Sequence, residues 1–445
     1  AQRDRALAIV APEAEPGDVC VFNPFSDARG GLAILDDADG LDAGSSLEDD
    51  EGHRYPVQEQ VVPHDKDRTA VGVPEVPPLG TRSFAVVASG GAAPCAAFRA
   101  TEDVLENAFF RLRFDRDHRL VEVHDKRRDR EIVPEGAAAN AWQLFEDKPG
   151  NYNAWDILPN YEDHPVDIPG WTSRALVENG PLSIAVRLRR SFGDSQAEQV
   201  IRLYADVPRI DFETWVDWQE TERLLKVAFP VTVRARVYTT DTSAGVLERD
   251  NHRNTPWQEA RFEVCGHKWV DLSEGLFGVA LMNDCKYGCD VRDHVMRLTL
   301  LKAPIRPDRM SDKGEHRFTY SLFAHGGDWR RDGLVEAAYD LNWPLAALKG
   351  RRGAALEDRA GICIDTRAVK CFAFKLDEDG EGNAIVRLAE LYGSRGVASV
   401  RPDFPFEQAF YCDTLERRIG KAEVCDGAVR VPFRPYQIQT LRLVR

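Results

Sequence analysis

The stretch FEDKPGNYNAWDI, residues 145–157, carries a close grouping of side chains able to bind a polar ring. After a Pro-Gly break that favours a loop, the candidates are Tyr152, Asn153, Trp155 and Asp156. An aromatic face suits the apolar side of a sugar ring, and planar amides or carboxylates suit its hydroxyl groups. We therefore interpret these four residues as substrate-binding, while a turn with two packing aromatic rings stays open as an alternative.

Two further polar groups stand beside strand-like runs. A turn over residues 283–288 needs its Asn, Asp and Gly, but it does not need Lys286 and Tyr287, which would place a cation and a hydroxyl there. His252 and Asn254 lie in a Pro-containing loop beside a tryptophan. We take all four as candidate substrate-binding residues. The alternatives are a solvated turn for the first pair and structural hydrogen bonding of the loop for the second.

Strands must position these groups, because short runs that alternate apolar and polar residues fill the chain and helical periodicity is almost absent. Residues 260–264 alternate as a half-buried strand does. Residues 276–282 are apolar on both faces, as in a strand that is covered on both sides. A short helical pattern occurs over residues 334–341. The sequence predicts an all-β protein built mainly from antiparallel strands.

The domain organisation follows from length and from the spacing of turn residues. A chain of 445 residues exceeds what one core usually supports, so roughly two to four domains are expected. We predict the end of a helical segment over residues 1–16, a small β-sandwich over 17–92, a large antiparallel β-sandwich over 93–350 and a terminal β-sandwich over 351–445. The fold class is a large antiparallel supersandwich flanked by two smaller β-sandwich domains.

The amino-acid composition limits the classes of binding partner and the cellular compartment that we expect. A net charge of −15 and a pI near 5.3 argue against nucleic acid and anionic membranes, which require clustered basic residues. No apolar run approaches the ~20 residues that span a bilayer, and the amino terminus lacks the apolar region of a signal peptide. The nine scattered cysteines favour a reduced, cytoplasmic compartment. Cys285 and Cys289 are a close pair, but no further ligands complete a zinc set.

Several separated blocks, in order along the chain, resemble the carboxyl-terminal β region of the α-mannosidases of glycoside hydrolase family 38, of the cytosolic and bacterial type. The resemblance extends over nearly the whole chain, and no single block would be specific alone. The blocks are VFNPFS (21–26), FEDKPGNYNAWDI (145–157), LLKVAFPV (224–231), HRNTPWQEARFEV (252–264), HKWVDLSE (267–274), GVALMNDCKYG (278–288), LLKAP (300–304) and GEHRFTYSLFAHGGDW (314–329).

The resemblance implies a galactose-mutarotase-like β-sandwich and the zinc-dependent, retaining, exo-acting hydrolysis of α-mannosides. In that family the nucleophilic Asp and the zinc ion lie in an amino-terminal α/β domain, and the zinc ligands begin with a His-x-Asp motif. Here His64-Asp65 and His124-Asp125 are adjacent pairs without that spacing. We therefore expect no catalytic and no metal-binding residue in this chain, zinc in a missing catalytic domain, and no activity of the chain alone.

The expected partners are α-mannosides and the protein's own amino-terminal catalytic domain, over whose pocket the loops of the large β domain close. Homo-oligomerisation is left open. One alternative is a stand-alone carbohydrate-binding β-sandwich module, with an aromatic platform at residues 152–155. Another is a mutarotase-type enzyme with His267 and Glu274, or His316 and Glu213, as acid and base, although nothing in the spacing supports either pair.

Overall fold

The computed structural model describes residues 18–35, 41, 44–88, 95–349 and 361–444. The predicted helical segment over residues 1–16 lies outside this part of the chain. The first described region consists of short strands separated by turns. They are β1 (Val19–Phe22), β2 (Arg29–Leu35), β3 (Ser45–Glu48), β4 (Arg54–Gln60), β5 (Arg68–Val76) and β6 (Thr81–Ala88).

The long central region is also built from strands, with three short helical turns between them. Its first strands are β7 (Arg99–Ala100), β8 (Val104–Glu106), β9 (Phe110–Phe114), β10 (Leu120–Asp125), β11 (Arg130–Glu131), β12 (Ala141–Glu146), β13 (Pro165–Val166), β14 (Ser173–Asn179), β15 (Ser183–Phe192), β16 (Ser195–Tyr204), β17 (Arg209–Trp218) and β18 (Arg223–Pro230). The others are β19 (Val237–Thr242), β20 (Gly245–Asp250), β21 (Val264–Cys265), β22 (Trp269–Glu274), β23 (Phe277–Asn283), β24 (Gly288–Arg292), β25 (Val295–Lys302), β26 (Gly314–His325) and β27 (Leu345–Lys349). The helical elements are a 3-10 helix (Tyr161–Asp163), α1 (Pro256–Glu259) and α2 (Leu334–Asn342).

The first six strands and β27 close into a barrel in the order β1-β27-β2-β5-β4-β3-β6. β27 pairs antiparallel with β1 and parallel with β2, so a strand from the far end of the central region completes the ring. Buried Val19, Leu47, Phe84 and Leu345 help to fill it. We predicted a small β-sandwich here; the closed barrel differs because its last strand comes from a distant segment that no local pattern reveals.

Three sheets of the central region share one apolar core. A six-stranded sheet has the order β13-β12-β18-β25-β24-β21, a nine-stranded sheet has the order β14-β15-β16-β17-β26-β23-β22-β19-β20, and a five-stranded sheet has the order β11-β10-β9-β8-β7. Fully buried Val123, Phe212 and Val227 come from different sheets and belong to the same cluster. Neighbouring strands in these sheets are antiparallel, as the sequence predicted, and the all-β fold class is confirmed.

The carboxyl-terminal region forms two more sheets that face each other. Their orders are β28-β31-β35-β34 and β29-β30-β36-β32-β33, and Val386, Val400, Val429 and Leu441 pack between them. The strands are β28 (Ile362–Ile364), β29 (Val369–Leu376), β30 (Ala384–Glu390), β31 (Gly396–Pro402), β32 (Gln408–Cys412), β33 (Arg418–Lys421), β34 (Glu423–Cys425), β35 (Ala428–Phe433) and β36 (Ile438–Val444). The predicted domain boundaries themselves stay predictions. Within the described ranges, no helix is long and apolar enough to cross a membrane.

Two local predictions are confirmed and one is wrong. β23 is buried at every position, in agreement with the strand predicted over residues 276–282, and α2 matches the helical pattern over residues 334–341. The strand predicted over residues 260–264 is absent apart from its last residue, because β21 contains only Val264–Cys265. The segment before β21 turns instead, since α1 ends at Glu259 directly before it.

The start of α1 has a clear local cause. The Thr255 side-chain oxygen accepts a hydrogen bond from the backbone N–H of Gln258 at 3.4 Å, and Pro256 occupies the first helical turn. A threonine cap followed by proline is a strong helix-start signal. It outweighs the alternation of Phe262 and Val264, which by itself indicates a strand.

Loops that carry the candidate residues leave the six-stranded sheet at one end. β12 ends at Glu146, which lies opposite Arg223 at the start of β18. β25 ends at Lys302, opposite Leu224 of the same strand, and β24 begins at this end with Gly288. The loop after β12, the loop after β25 and the turn before β24 therefore emerge side by side.

Candidate functional site

Tyr152 and Trp155 stand on the loop after β12 with their rings in solvent. Each side chain is 73% exposed, and the ring centroids lie 6.3 Å apart at an interplanar angle of 70°. The backbone N–H of Trp155 donates to the carbonyl oxygen of Tyr152 at 2.9 Å, so a tight turn sets their spacing. The pair forms an exposed aromatic surface, not the packed aromatic turn that was the alternative.

Asn153, between them, points the other way. It is buried, and its Oδ1 accepts hydrogen bonds from the backbone N–H groups of Ile305 at 3.3 Å and Arg306 at 2.9 Å. Asn153 therefore fastens the β12 loop to the loop after β25. Asp156 is exposed, and its Oδ1 accepts from the N–H of Ile157 at 3.0 Å.

The turn before β24 places Lys286 and Tyr287 at the same end of the sheet. The Lys286 ammonium lies 4.5 Å from the centroid of the Phe318 ring, and burial lowers its pKa. Tyr287 is 47% exposed and stacks on His267 at 5.0 Å. Asp312, in the loop after β25, opposes the lowering of the Lys286 pKa. The β25 loop thus is bound to the β12 loop through Asn153 and also lies near Lys286.

His252 and Asn254 lie in a separate region, at the loop before α1. His252 lines a narrow cleft of about 20 Å³ together with Tyr238 and Arg249, and its Nδ1 has no hydrogen-bond partner among the described residues. Asn254 is exposed, and its backbone N–H donates to Oε1 of Gln258 at 2.9 Å. A cleft of this volume holds about one water molecule, so it does not by itself accommodate a sugar ring.

Glu162, which sequence reasoning missed, connects the β12 loop to the α1 loop and to β24 and β25. From the 3-10 helix, its Oε2 accepts from Arg253 of the α1 loop at 2.6 Å and from Arg292 of β24 at 3.1 Å. Its Oε1 accepts from Arg297 of β25. Burial alone would raise the pKa of Glu162, but Arg297 and Arg253 outweigh it and hold the pKa below its usual range. No local pattern marks this residue, because its three partners are distant in sequence.

A buried charge network lies beside Glu162 on the outer face of the six-stranded sheet. The fully buried Lys226 ammonium donates to Glu263 at 2.5 Å and pairs with Asp290 at 3.0 Å. The Tyr161 hydroxyl donates to Asp290 at 3.3 Å, and burial raises its pKa to about 12. Arg297 pairs with Asp290 at 2.8 Å. These contacts fix the end of the β12 loop onto the sheet.

The acid–base pairs of the mutarotase-type alternative are occupied by other contacts. His316 Nε2 lies 2.6 Å from the carbonyl oxygen of Asp312, as expected for a turn cap. Glu213 is 7% exposed and pairs with Arg202 and with Arg68, the latter at 2.5 Å. Arg68 belongs to β5, so the barrel covers this face of β17.

Glu274 is the last residue of β22 and His267 lies two residues before its start, and they likewise have separate contacts. Glu274 accepts from the backbone N–H of Arg234 at 2.7 Å and pairs with Arg130 at 2.7 Å, which together hold its pKa below the usual range although burial raises it. His267 stacks on Tyr287. These residues form no acid–base pair in the structure.

Metal ligands were not predicted in this chain. Among the residues that the structure describes, no three His, Cys, Asp or Glu side chains lie close enough together to hold a metal ion. All nine cysteines fall within the described ranges, and each is a free thiol. Cys285 is exposed and Cys289 is buried. Burial raises the pKa of the Cys289 thiol to about 12, so Cys289 is not a ready thiolate ligand.

Comparison with known protein families gives two matches that together cover most of the large sandwich and of the terminal sheets. Residues 105–310 match the glycosyl hydrolases family 38 C-terminal domain, and residues 368–441 match the glycosyl hydrolases family 38 C-terminal beta sandwich domain. The first match contains the resembling blocks from residue 145 to residue 304, whereas the second lies beyond the last block, within the predicted terminal β-sandwich.

Curated relatives agree with the family matches. Alpha-mannosidase 2C1 of Homo sapiens is 36% identical over 346 residues, which cover 76% of this chain and 33% of the relative. Alpha-mannosidase G of Dictyostelium discoideum is 31% identical over 399 residues, which cover 84% of this chain and 36% of the relative. The chain thus spans about one third of the length of these relatives.

A solved structure shows the same fold. An α-mannosidase from Enterococcus faecalis superposes with a TM-score of 0.75 at 16% identity, covering 99% of this chain and 58% of that protein. Fold, family matches and curated relatives agree on one assignment: the chain belongs to glycosyl hydrolase family 38 and carries the carboxyl-terminal β region of that family.

Proposed function

We propose that this chain is the non-catalytic β region of a retaining, exo-acting α-mannosidase, and that its loops cover the active site and contact the sugar. The family assignment and the names of the curated relatives support an α-mannoside substrate. The chain spans about one third of those relatives, which leaves room in such proteins for a separate catalytic domain. In this proposal that domain supplies the nucleophile and the zinc ion.

The observation that carries the proposal is the exposed pair Tyr152 and Trp155. Two large aromatic side chains, each 73% exposed, keep apolar surface in water without any packing benefit inside the described chain. Asn153 holds their loop from below, and the nearby carboxylate of Asp156 is exposed. Aromatic faces with polar groups beside them suit the two sides of a sugar ring. We infer that this surface, with Lys286 and the hydroxyl of Tyr287 farther along the same end of the sheet, faces the bound mannoside.

Activity assays on two polypeptides test the proposal. The purified 445-residue chain and a longer polypeptide that includes an amino-terminal catalytic domain are assayed on an aryl α-mannoside, with and without a zinc chelator. We expect chelator-sensitive turnover from the longer polypeptide and none from the chain alone. Zinc-dependent turnover by the chain alone, well above a mock preparation, would overturn the non-catalytic assignment.

The loop contact has its own test in the longer polypeptide. Replacing both Tyr152 and Trp155 with Ala should lower kcat/KM by about 5- to 150-fold, since stacking on aromatic faces is worth ~0.5–1.5 kcal/mol per pair, two rings are lost, and ~1.4 kcal/mol corresponds to a factor of ten. The matched control is Trp257→Ala, which removes a 65% exposed tryptophan from the α1 loop. Equal activity of the double variant and the control would refute sugar contact at this loop.

A stand-alone carbohydrate-binding module is the second candidate, because the same exposed pair would also serve as a binding platform. Titration of the chain alone with mannose and oligomannosides separates the two functions. Saturable binding that is lost in the Tyr152→Ala/Trp155→Ala variant favours the module, whereas absence of binding favours loops that complete a pocket formed with another domain.

Cytoplasmic location is part of the proposal, and the nine free cysteines support it, since thiols persist in reducing compartments. Cell fractionation with an antibody to the chain would test it, and recovery in a secreted fraction would overturn it. Size-exclusion chromatography with light scattering addresses homo-oligomerisation, which stays open.

A further inference from the structure

Arg190 occupies an unusual position at one end of the large sandwich. It lies on the inward face of β15 and is 6% exposed. Its guanidinium carbon is 3.8 Å from the ring centroid of Trp171 and 4.9 Å from that of Trp142. Arginine often stacks on aromatic faces in this way. Because the centroids of these two rings lie only 5.2 Å apart at an interplanar angle of 65°, both rings lie on the same side of the guanidinium and do not enclose it.

No carboxylate in the described part of the chain pairs with this guanidinium. Its neighbours Arg187 and Arg189 project from the other face of β15 and both approach Glu198, at 4.0 and 2.7 Å. The Nε of Arg190 is buried and has no hydrogen-bond partner among the described residues. Burial lowers the pKa of Arg190 to about 9, which still leaves the group charged at neutral pH. An unpaired buried charge is strongly unfavourable, so its retention calls for an anion.

The guanidinium faces a cavity of about 160 Å³ where the five-, six- and nine-stranded sheets meet. The cavity wall includes Arg119 and His118, and it includes no Asp or Glu. The Nδ1 of His118 is buried and likewise has no hydrogen-bond partner among the described residues. The apolar part of the wall comes from Leu120, Ile168 and several further aliphatic side chains. Arg119 is 61% exposed and pairs with Asp115 at 2.7 Å, so Arg190 is the charged group of this cavity without a carboxylate partner among the described residues, and much of the remaining wall is apolar.

Neutral hydrogen bonds hold the surrounding side chains in place. The Tyr320 hydroxyl accepts from Trp142 Nε1 at 3.1 Å and from Gln199 Nε2 at 2.7 Å, and it donates to Asn140 Oδ1 at 2.6 Å. Asn140 Nδ2 donates to Gln199 Oε1 at 2.6 Å. This closed network fixes Trp142 and Asn140 at the cavity wall and supplies no charge that could neutralise the arginine.

We propose that this cavity binds the carboxylate of a small organic acid, with Arg190 donating two parallel hydrogen bonds to the carboxylate and the aliphatic wall covering the apolar body. Planar bidentate pairing with carboxylates is the geometry that arginine favours. A cavity of ~150 Å³ holds a molecule of the size of benzene, so the ligand has roughly six to ten non-hydrogen atoms. A monoanion matches one buried guanidinium, whereas a doubly charged phosphate would leave charge unpaired.

Titration of the full 445-residue chain tests the site by isothermal calorimetry. The probes are benzoate, cyclohexanecarboxylate, the neutral isostere benzamide and inorganic phosphate. We expect saturable one-to-one binding of a carboxylate probe and at least about tenfold weaker binding of benzamide, because charge-assisted hydrogen bonds are worth ~1.5–3 kcal/mol. Phosphate that binds as tightly as the carboxylates would overturn the choice of ligand, and no saturable binding of either carboxylate would overturn the site.

Variants on β15 distinguish a role of the Arg190 guanidinium in binding from general effects on the fold. Arg190→Met should weaken carboxylate binding at least about tenfold, while its thermal midpoint without ligand stays equal to or above that of the unaltered protein, since an unpaired buried charge is removed. Arg187→Met, on the same strand and the opposite face, is the matched control and should bind as before. Undiminished binding by Arg190→Met, or a lowered midpoint that marks a purely structural role, would contradict the proposal.

A second variant keeps the test decisive if Arg190→Met does not fold. Ile168→Trp places a larger side chain in the loop at the cavity mouth, where Ile168 is only partly buried. It should abolish carboxylate binding while the guanidinium stays in place. Unchanged binding by Ile168→Trp would place the carboxylate elsewhere and overturn the assignment.

Discussion

Replacing Glu162 with Gln should loosen the attachment of the β12 loop to its neighbouring segments. Its carboxylate receives hydrogen bonds from Arg253, Arg292 and Arg297, which belong to three different segments. Gln keeps one carbonyl acceptor but loses the negative charge, so Arg253 and Arg292 lose their carboxylate partner, while Arg297 keeps its pairing with Asp290. The 3-10 helix and the α1 loop then lose their common anchor on the sheet.

The magnitude follows from the exposure of each partner. The side chains of Arg253 and Arg297 are 18% and 9% exposed, and shielded charge-assisted bonds are worth ~1.5–3 kcal/mol each. Arg292 is 52% exposed, so its contribution is only ~0–1 kcal/mol. Because Gln retains part of the hydrogen bonding and Glu162 is itself 20% exposed, we expect a loss of about 2–3 kcal/mol.

The contribution of Glu162 to stability should depend on pH in a definite direction. Since the pKa of Glu162 is lowered in the folded protein, its ionised form contributes stability that is fully present above the ordinary Glu pKa of ~4.3. That contribution is lost as the pH falls through the lowered folded pKa. The difference in stability between the unaltered protein and Glu162→Gln should therefore be constant near neutral pH and shrink in acid.

Two measurements check this. Thermal unfolding gives the overall loss, and hydrogen exchange followed by mass spectrometry reports whether residues 147–163 and 252–263 open more readily. Asp163→Asn is the matched control, because it removes the same charge from the adjacent, exposed residue. Equal exchange in the two variants, or a stability difference that grows in acid, would refute the assignment of Glu162 as the anchor.

Three other changes have separate expected outcomes. Asn153→Ala leaves two backbone N–H groups without an acceptor, so it should destabilise the β12 loop by ~1–3 kcal/mol; unchanged hydrogen exchange in that loop would contradict this. Lys286→Met removes a partly desolvated cation from the Phe318 ring, so in the longer, catalytic polypeptide it should lower kcat/KM with little change in thermal midpoint. A thermal midpoint that falls together with kcat/KM would instead indicate a structural lysine. Arg202→Met leaves buried Glu178 without its cation and should lower stability by ~3–5 kcal/mol, measured by denaturant unfolding; a change within ~0.5 kcal/mol would show that the ion pair is dispensable.

Much of the fold could be predicted because strand alternation is a local property. The apolar run at 276–282 predicted β23 correctly, since burial on both faces requires apolar residues at every position. Alternation misleads where a charged face is covered by another unit. Glu213 of β17 reads as solvated, yet Arg202 and Arg68 neutralise it beneath the barrel. Whether such a face is buried depends on partners from distant segments of the chain. The closure of the barrel by β27 depends on a distant segment in the same way.

The candidate site shows the same division between residue type and residue environment. Sequence reasoning selected Tyr152, Asn153 and Trp155 for their chemistry, and the structure exposes the two rings but turns the amide inward. An amide suits a sugar hydroxyl and a backbone N–H equally well, so its type alone does not decide between them. The same ambiguity hid Glu162, whose neighbours in sequence give no sign of three arginines.

The inward-facing groups explain why the outward-facing ones can stay exposed. A flexible loop with two free aromatic rings would fold them onto the nearest apolar surface, because burying each ring is favourable by ~1.5–3 kcal/mol. Here Asn153 fixes the middle of the loop to the β25 loop, and Glu162 fixes its far end to the sheet. A preorganised ring loses little entropy when a ligand stacks on it. The buried polar contacts of this loop therefore support its exposed aromatic surface. Weakening these contacts should reduce ligand binding at the aromatic surface, even though no anchoring atom touches the ligand.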